Sequence, residues 1–284
     1  RIVGVKVREI DGKEYTIKAK AVIVATGGFG ANAKMVEKYN PKLKGFGSTN
    51  SPAIVGDGII MVEKVGGALV DMSEIQTHPT VVYNKTNMIT EAVRGEGAIL
   101  VNKDGKRFID ELETRDVVSK AILSQKGKSA FLIFDEDIRT KLKAADGYVK
   151  KGFAVEGTLE EIAAKIGTDA KTLEATLNKY NEAVRDKVDS EFNKKTLPKE
   201  LTGTKYYAIE VSPAVHHTMG GVRINTNAEV LSKNGRPIKG LYAAGEVTGG
   251  IHGANRIGGN AVADITIFGK IAGENAATYS KSVK

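Results

Sequence analysis

Residues 240–265 read GLYAAGEVTGGIHGANRIGGNAVADI, and this stretch decides the fold. It opens with a short apolar strand at 241–244, continues through a glycine-dense turn, and becomes helical from about Asn260, where apolar residues recur at helical spacing. Glycines permit positive φ angles and a close approach of the backbone, and the first turn of a helix favours negative charge. The stretch therefore predicts a place where backbone lies against a planar or anionic ligand.

Three functional side chains interrupt the glycine-dense turn, at Glu246, His252 and Arg256. Glycine density alone is equally typical of a plain loop between a strand and a helix. A carboxylate, an imidazole and a guanidinium inside one such loop favour a binding site.

This stretch resembles the C-terminal FAD motif of the fumarate reductase/succinate dehydrogenase flavoprotein superfamily, and it is most similar to the motif of soluble, flavocytochrome-c-type fumarate reductases. The resemblance runs over essentially the whole chain. It implies an α/β fold in which a partial Rossmann-like FAD-binding domain (residues 1–72 and 218–284) carries an inserted α+β capping domain (residues 73–217). It also implies FAD as cofactor, with haem or FMN only in a part of the protein outside this chain, and a role in anaerobic respiratory electron transport.

Composition limits the class of protein. The chain has 284 residues, enough for two domains with cores, and 41% of them are hydrophobic. The net charge of +8 comes from scattered lysines with few aromatic neighbours, so nucleic acid is not a favoured partner. No apolar run approaches the roughly 20 residues of a membrane helix. The absence of cysteine excludes disulfides, thiolate metal sites and c-type haem attachment within this chain.

The first residues raise the expectation of a partial protein. The superfamily begins with a βαβ unit carrying a GxGxxG fingerprint for the ADP half of FAD, and no such fingerprint precedes the first strands here. We therefore expect the chain to be the C-terminal part of a longer flavoprotein. The sequence therefore leaves two locations open, the cytoplasm and the periplasm. It also leaves open which electron donor reduces the flavin.

Periodicity predicts the surrounding elements. Residues 2–7 and 15–20 form a hairpin around Asp11-Gly12, and the apolar run at 21–25 is interpreted as a buried parallel strand. Helices are predicted at 59–65, after 113–116, and through much of 152–188, where residues 158–161 form a capping box. A strand is predicted at 131–134.

The resemblance assigns FAD contacts by motif. In the ATGG turn after the run at 21–25 they are Thr26, Gly27 and Gly28, and in the GDG segment Asp57, for which a plain helix N-cap is the structural alternative. In the opening stretch they are Gly245, Glu246, Arg256, Asn260, Ala261 and Val262.

The remaining chemistry is cationic and hydrogen-bonding. The sequence has no HExxH metal motif, GxSxG elbow or cysteine nucleophile. All four histidines, His78, His216, His217 and His252, fall inside motif segments. Arginine forks bind carboxylates through two parallel hydrogen bonds, so such a set suits a small dicarboxylate.

By resemblance, His78 of HPT and Thr90 of MITE bind one substrate carboxylate, and His217 and Arg256 bind the other, with Glu91 and Gly259 also at the substrate. Arg115 is the proton donor to fumarate, supplied through Glu91 and Arg94, and closure of the capping domain excludes water. His216 and His252 shape the loops. On spacing alone, an i,i+3 ion pair on a helix is the favoured interpretation of Glu91 and Arg94.

Other functions share these motifs. A related flavin enzyme acting on another acid (succinate dehydrogenase, aspartate oxidase, urocanate or acrylate reductase) keeps the same fold. His78 together with Thr90 favours a plain dicarboxylate, since urocanate replaces one carboxylate with an imidazole. A non-enzymatic alternative is an inactive fragment or a module that binds electron-donor partners.

Overall fold

The computed structural model describes residues 1–283 and has the mixed α/β architecture that the sequence predicts. The chain divides into two compact units. Unit 1 comprises Arg1–Gln76 and Val215–Lys284, and unit 2 comprises Thr77–Ala214. The predicted domain boundaries at 72/73 and 217/218, and the FAD-binding and capping roles attached to them, stay predictions.

The helices are α1 (Ala33–Tyr39), α2 (Asp57–Lys64), α3 (Glu91–Gly95), α4 (Arg115–Leu123), α5 (Glu136–Lys141), α6 (Lys143–Lys150), α7 (Leu159–Ile166), α8 (Ala170–Asp186) and α9 (Asn260–Ser282). The strands are β1 (Gly4–Arg8), β2 (Glu14–Lys18), β3 (Val22–Val24), β4 (Leu69–Val70), β5 (Ile75–Val82), β6 (Ile99–Val101), β7 (Ala130–Asp135), β8 (Val155–Gly157), β9 (Tyr206–Thr218), β10 (Gly221–Arg223), β11 (Glu229–Leu231), β12 (Pro237–Ala243) and β13 (Thr248–Gly249).

Unit 1 contains a hairpin and two small sheets. Strands β1 and β2 pair antiparallel, which confirms the predicted hairpin, and the sheets have the orders β11-β12-β3 and β13-β10-β4. Strand β3 runs parallel to β12, with Leu241 opposite Val22 and Ala243 opposite Val24. Because neighbouring parallel strands end at the same edge of a sheet, the ATGG turn and the Gly245-Glu246 turn emerge side by side.

The prediction that residues 21–25 form a buried strand is wrong in one respect. The strand is parallel, as expected, but Ile23 is 42% exposed while Val24 is buried. Strand β3 stands at the edge of its sheet, so one of its faces is not covered by other described elements.

Helix α9 confirms the predicted helix after Asn260, but only part of the apolar stripe in the sequence packs: Phe268 and Ile271 lie partly buried against the sheet. Val262, Ile265 and Ile267 are exposed. The helix packs on Tyr242 of β12 through Ala272 and Ala276, whose small side chains let the helix approach the sheet closely.

Unit 2 is an antiparallel sheet with helices. Its strand order is β5-β9-β7-β6, with β8 paired to β9. Helix α7 begins at the predicted capping box, in which Thr158 and Glu161 exchange hydrogen bonds with backbone amides. Residues 152–158 were expected to be helical, but β8 lies there, because Val155–Gly157 adds to the edge of the sheet.

The core of unit 2 is one continuous cluster. It includes Leu100, Leu132 and Phe134 from the sheet, and Leu173 and Tyr180 from the predicted buried face of α8. Among residues 1–283, no helix combines the length and the apolar character needed to cross a bilayer.

Candidate active site

Two glycine turns follow the parallel strands of unit 1. Gly27 has a φ of +76° and Gly245 a φ of +83°, values that favour glycine. A Cβ on Gly28 would overlap the hydroxyl of Thr218 and come within 2.8 Å of Glu246 Oε1. The turns therefore let three segments of backbone come together at the carboxyl ends of β3 and β12, the edge where open α/β sheets bind ligands.

Glu246 is anchored by Thr218. Its Oε1 accepts hydrogen bonds from the Thr218 backbone N–H at 2.9 Å and from the Thr218 hydroxyl at 3.3 Å. Burial raises the pKa of Glu246, while Thr218 and Arg256 oppose the shift. The carboxyl is thus held in a fixed orientation beside the ATGG turn.

Helix α2 corrects the interpretation of Asp57 as an N-cap. Gly56, in the left-handed region with a φ of +87°, occupies the cap position, and Asp57 is the exposed first residue of the helix. A Cβ on Gly58 would overlap the hydroxyl of Thr26, so α2 begins directly against the end of β3. Asp57 therefore does not cap α2, and its predicted contact with FAD stays a prediction.

Helix α9 begins without a side-chain cap. Gly259, with a φ of +88°, is its N-cap, and the backbone amides of Asn260, Ala261 and Val262 form the first turn. The Asn260 and Val262 amides donate to the Ile257 and Gly259 carbonyls at 3.3 and 2.8 Å, so the start of this 23-residue helix favours a phosphate or a flavin edge mainly through its dipole. The residues of unit 1 therefore fit an anionic, planar dinucleotide such as FAD.

Arg256 is ordered by two amide side chains. Gln76, which is buried, donates to Asn255 Oδ1 at 2.7 Å and to the Arg256 carbonyl at 2.8 Å, and its own Oε1 accepts from Arg256 Nη2 at 3.3 Å. Asn255 Oδ1 also accepts from the Arg256 backbone N–H at 3.0 Å. Gln76 and Asn255 thus hold the loop that carries Arg256 and orient its guanidinium.

The histidines of unit 1 lie close together. The rings of His217 and His252 meet edge to face, with centroids 5.3 Å apart. Nε2 of His252 lies 3.2 Å from Asp264 Oδ2, and His216 Nδ1 lies 2.7 Å from the Thr49 hydroxyl. Asp264 therefore orients the His252 ring, and His217 packs against that ring.

In unit 2, His78 and Thr90 serve the fold locally. His78 Nε2 lies 2.8 Å from the Ile89 carbonyl and 3.1 Å from the Thr80 hydroxyl. Thr90 is the N-cap of α3, and its hydroxyl accepts from the Ala92 backbone N–H at 3.4 Å. Since the Ile89 carbonyl only accepts, Nε2 of His78 carries a proton.

Glu91, Arg94 and Arg115 form a continuous line of charges. Arg115 donates from Nε to Glu91 Oε1 at 2.8 Å and from Nη2 to Oε2 at 3.0 Å. Arg94 Nη2 lies 3.7 Å from Glu91 Oε1, which is the i,i+3 pair expected from spacing. The same arrangement therefore accommodates both interpretations of Glu91 and Arg94, the ion pair on a helix and the proton relay to Arg115.

Two groups in this line, Glu91 and Arg94, have pKa values far from their ordinary ones. The hydrogen bonds from Arg115 lower the pKa of Glu91 to about 2. Burial lowers the pKa of Arg94 to about 10, against the opposing effect of Glu91. Arg94 is 2% exposed, so its guanidinium is shielded from water.

The structure groups the predicted residues by unit. Unit 1 brings together Thr26, Gly27, Gly28, Asp57, His217, Gly245, Glu246, Arg256, Gly259, Asn260, Ala261 and Val262, and unit 2 brings together His78, Thr90, Glu91, Arg94 and Arg115.

Supporting residues were missed by sequence reasoning. They are Gln76, Thr218, Asn255, Asp264 and Glu111, which hold Arg256, Glu246, His252 and Arg94. Asn255 and Asp264 lie inside the stretch at 240–265 and could have been found there, whereas Gln76, Thr218 and Glu111 lie outside the quoted motifs and carry no sequence signal. In the part of the chain that the structure describes, no group of three or more His, Cys, Asp and Glu side chains is placed to hold a metal ion.

Comparison with known proteins places this geometry in context. A fumarate reductase (cytochrome) of Shewanella frigidimarina is 53% identical over 98% of this chain, and an NADH:fumarate oxidoreductase of Klebsiella pneumoniae (strain 342) is 49% identical over 98%. A solved structure of the open conformation of a flavocytochrome c3 fumarate reductase matches with a TM-score of 0.80 and 46% identity over 98% of the chain.

The chain spans only part of these proteins: 49% of the Shewanella protein, 30% of the Klebsiella protein and 50% of the solved chain. Residues 1–262 match the family described as FAD binding domain, so the match covers most of the sequence together with both glycine turns and the start of α9. The chain belongs to the FAD-binding domain family.

Proposed function

We propose that this chain is the part of a fumarate reductase that binds FAD and handles the substrate, in a protein that reduces fumarate to succinate. The line Arg94–Glu91–Arg115 is the observation that carries the proposal. A surface ion pair would not require a buried second arginine behind the carboxylate, whereas a proton donor that is used in every turnover requires a source behind it.

The chemistry that bound FAD supplies is a hydride for one carbon of the substrate double bond. Arg115 donates a proton from its guanidinium to the other carbon. An arginine is a weak acid, with an ordinary pKa above about 12, but a carbon on which negative charge develops is a stronger base than a neutral guanidine. The positive charge of Arg115 also stabilises that developing charge.

Glu91 and Arg94 restore the proton of Arg115. Glu91 is ionised at rest, because its pKa is about 2, so it accepts a proton from Arg94 and passes it to Arg115 through the two-pronged contact. Burial makes Arg94 a better proton source than an exposed arginine, because its pKa falls to about 10. The proton thus moves from Arg94 to Glu91 and then to Arg115, and Arg94 regains a proton from solvent before the next turnover.

Each unit, taken by itself, carries groups that suit a carboxylate. In unit 1 these are Arg256 and His217, and in unit 2 His78 and Thr90. A guanidinium donates to a carboxylate in a planar fork, and Gln76 holds that of Arg256 in place. Fumarate has two carboxylates, and we propose these residues together with Glu91 and Gly259 as its ligands.

The test is Arg115→Ala in the FAD-loaded protein, assayed with a chemically reduced viologen dye as electron donor. We expect kcat for fumarate reduction to fall by about 10²–10⁴-fold while the flavin absorbance per chain is unchanged. The matched control is Arg139→Ala, another ion-paired arginine of unit 2, bonded to Asp146 at 3.1 Å, which should keep the wild-type kcat. Retained turnover in Arg115→Ala would remove Arg115 as the acid.

The same assay separates the sister functions. Acrylate and urocanate offered in place of fumarate, and succinate with an oxidised dye, test the alternatives within the family. A kcat/KM for fumarate below that for one of these acids would reassign the substrate. A wild-type protein with no flavin absorbance would instead favour the inactive fragment.

A further inference from the structure

A buried cluster of charges lies behind Arg94 in unit 2. The Glu111 carboxylate is 0% exposed and accepts four hydrogen bonds: from Leu100 N at 3.2 Å, from Arg107 Nε at 2.9 Å and Nη2 at 3.1 Å, and from Lys194 Nζ at 2.7 Å. Arg107 Nη2 also donates to Asp189 Oδ2 at 2.9 Å. Two cations and two carboxylates therefore balance in a dry interior.

Aromatic rings complete the cluster. The Arg107 guanidinium lies 5.3 Å from the ring centroid of Tyr180 and 4.9 Å from that of Phe192. Burial alone would raise the pKa of Glu111, but Lys194 and Arg107 outweigh this effect, and the pKa is lowered. Glu111 is thus a fixed, ionised carboxylate.

Stability alone is a weak reason for such a cluster. The desolvation of buried ions offsets most of their mutual attraction, so apolar residues of similar volume would serve a core as well or better. A buried ionic cluster is better suited to holding neighbouring groups in fixed positions, and the neighbouring functional group is the Arg94 guanidinium.

The connection is one hydrogen bond. Arg94 Nη1 donates to the backbone carbonyl of Glu111 at 2.5 Å, while Nη2 faces Glu91 at 3.7 Å. Glu111 lies outside any helix or strand, in a turn where the Asp110 carbonyl accepts from Glu113 N at 3.3 Å. Without a strand or helix to hold it, the position of this carbonyl depends on the side chain that anchors the same residue.

We propose that Glu111 is a positioning residue for the proton relay: its carboxylate, held by Arg107 and Lys194, fixes the carbonyl that aims the Arg94 guanidinium at Glu91. The proposal rests on the proposed function. Glu111 itself touches neither substrate nor cofactor, and it acts only through Arg94.

The test compares Glu111→Gln with Asp189→Asn in the FAD-loaded protein. Both replace one carboxylate of the same cluster by its amide, but Asp189 bonds Arg107 and the backbone amides of Glu191 and Phe192, not the relay. We expect Glu111→Gln to lower kcat for fumarate about 10–100-fold with KM within about 2-fold, since one charged hydrogen-bond partner is lost. Asp189→Asn should keep kcat within about 2-fold, although its melting temperature falls similarly.

Damage to the relay also has its own signature in the solvent isotope effect. In Glu111→Gln the rate should become limited by proton supply, so the solvent isotope effect on kcat should rise above the wild-type value, and in Asp189→Asn it should not. If Glu111→Gln does not fold, Lys194→Met replaces it, because this variant removes a donor to Glu111 but leaves the carboxylate. The same changes in kcat and in the solvent isotope effect are then expected of Lys194→Met.

Two outcomes overturn the proposal. One is a wild-type kcat and isotope effect in Glu111→Gln, or in Lys194→Met where that variant is used. The other is an equal loss of kcat in the Asp189→Asn control, which would make the cluster merely structural. A wild-type protein that reduces fumarate, together with an inactive Arg115→Ala, keeps the proposed function in either case, so the two failures are distinguishable.

Discussion

Unit 1 holds its predicted site residues through the shape of the backbone, whereas unit 2 holds them through charge. In unit 1, Gly28, Gly245 and Gly259 allow turns that a side chain would block or strain. In unit 2, Glu91 and Glu111 each receive an arginine fork.

This difference implies opposite sensitivities. A methyl group added within a glycine turn should damage unit 1 and leave the charges of unit 2 intact. A removed charge should damage the relay of unit 2, while the glycine turns tolerate it. The contrast follows from physics, because steric overlap is insensitive to pH and ion pairs are not.

The largest expected effect is that of Gly28→Ala on unit 1. The new Cβ would overlap the Thr218 hydroxyl and approach Glu246 Oε1, so the turn or both side chains must shift. We expect about 1–3 kcal/mol of destabilisation and a loss of bound FAD, measured by chemical denaturation and by flavin absorbance per chain.

The control for Gly28→Ala is Gly269→Ala, within α9. A Cβ there meets nothing within 4 Å, and alanine favours a helix over glycine, so stability should rise by about 0.5–1 kcal/mol with FAD unchanged. Full FAD content and wild-type stability in Gly28→Ala would break the claim that backbone shape decides unit 1.

The glycine turns were predictable from sequence because glycine at positive φ leaves a local signature. The strand at 241–244, the turn and the helix from Asn260 follow from residue types at adjacent positions, and all three are present. The buried face of α9 was not predictable, since it depends on where Ala272 and Ala276 meet Tyr242, a distant residue.

A smaller effect is expected from Arg256→Ala and from His78→Ala, one in each unit. Removing a hydrogen-bond donor to a charged carboxylate costs about 1.5–3 kcal/mol, so KM for fumarate should rise about 10–100-fold with a lesser change in kcat. Steady-state kinetics of the FAD-loaded protein provide the measurement.

Arg223→Ala is the matched control for Arg256→Ala, since Arg223 is an exposed arginine at the end of β10. Its KM should equal that of the wild type. If KM and kcat were unchanged in both Arg256→Ala and His78→Ala, neither residue would be a substrate ligand, and the proposed ligand set would be wrong in both units.

The relay illustrates how far sequence alone could reach. Spacing offered Glu91 and Arg94 as an ion pair, and the resemblance added Arg115, which lies 24 residues from Glu91. Glu111, Arg107, Asp189 and Lys194 gave no signal, because a charged residue in a loop is usually solvated and its burial depends on contacts up to 83 residues away.

The smallest expected effect is that of Glu91→Gln on the stability of unit 2, and its pH dependence distinguishes charge from shape. The pKa of Glu91 is lowered in the folded protein, from an ordinary value of 4.5 to about 2. The folded state therefore holds the proton less tightly than the unfolded state, so the stabilisation is present above pH 4.5 and is lost as the pH falls towards 2. Because the Glu91 side chain is 39% exposed, solvent screening reduces the expected difference between wild type and Glu91→Gln to about 1 kcal/mol at neutral pH. Chemical denaturation of both proteins at a series of pH values should show that difference shrink in acid, whereas a constant difference would mean that Glu91 contributes by packing, as the glycines of unit 1 do.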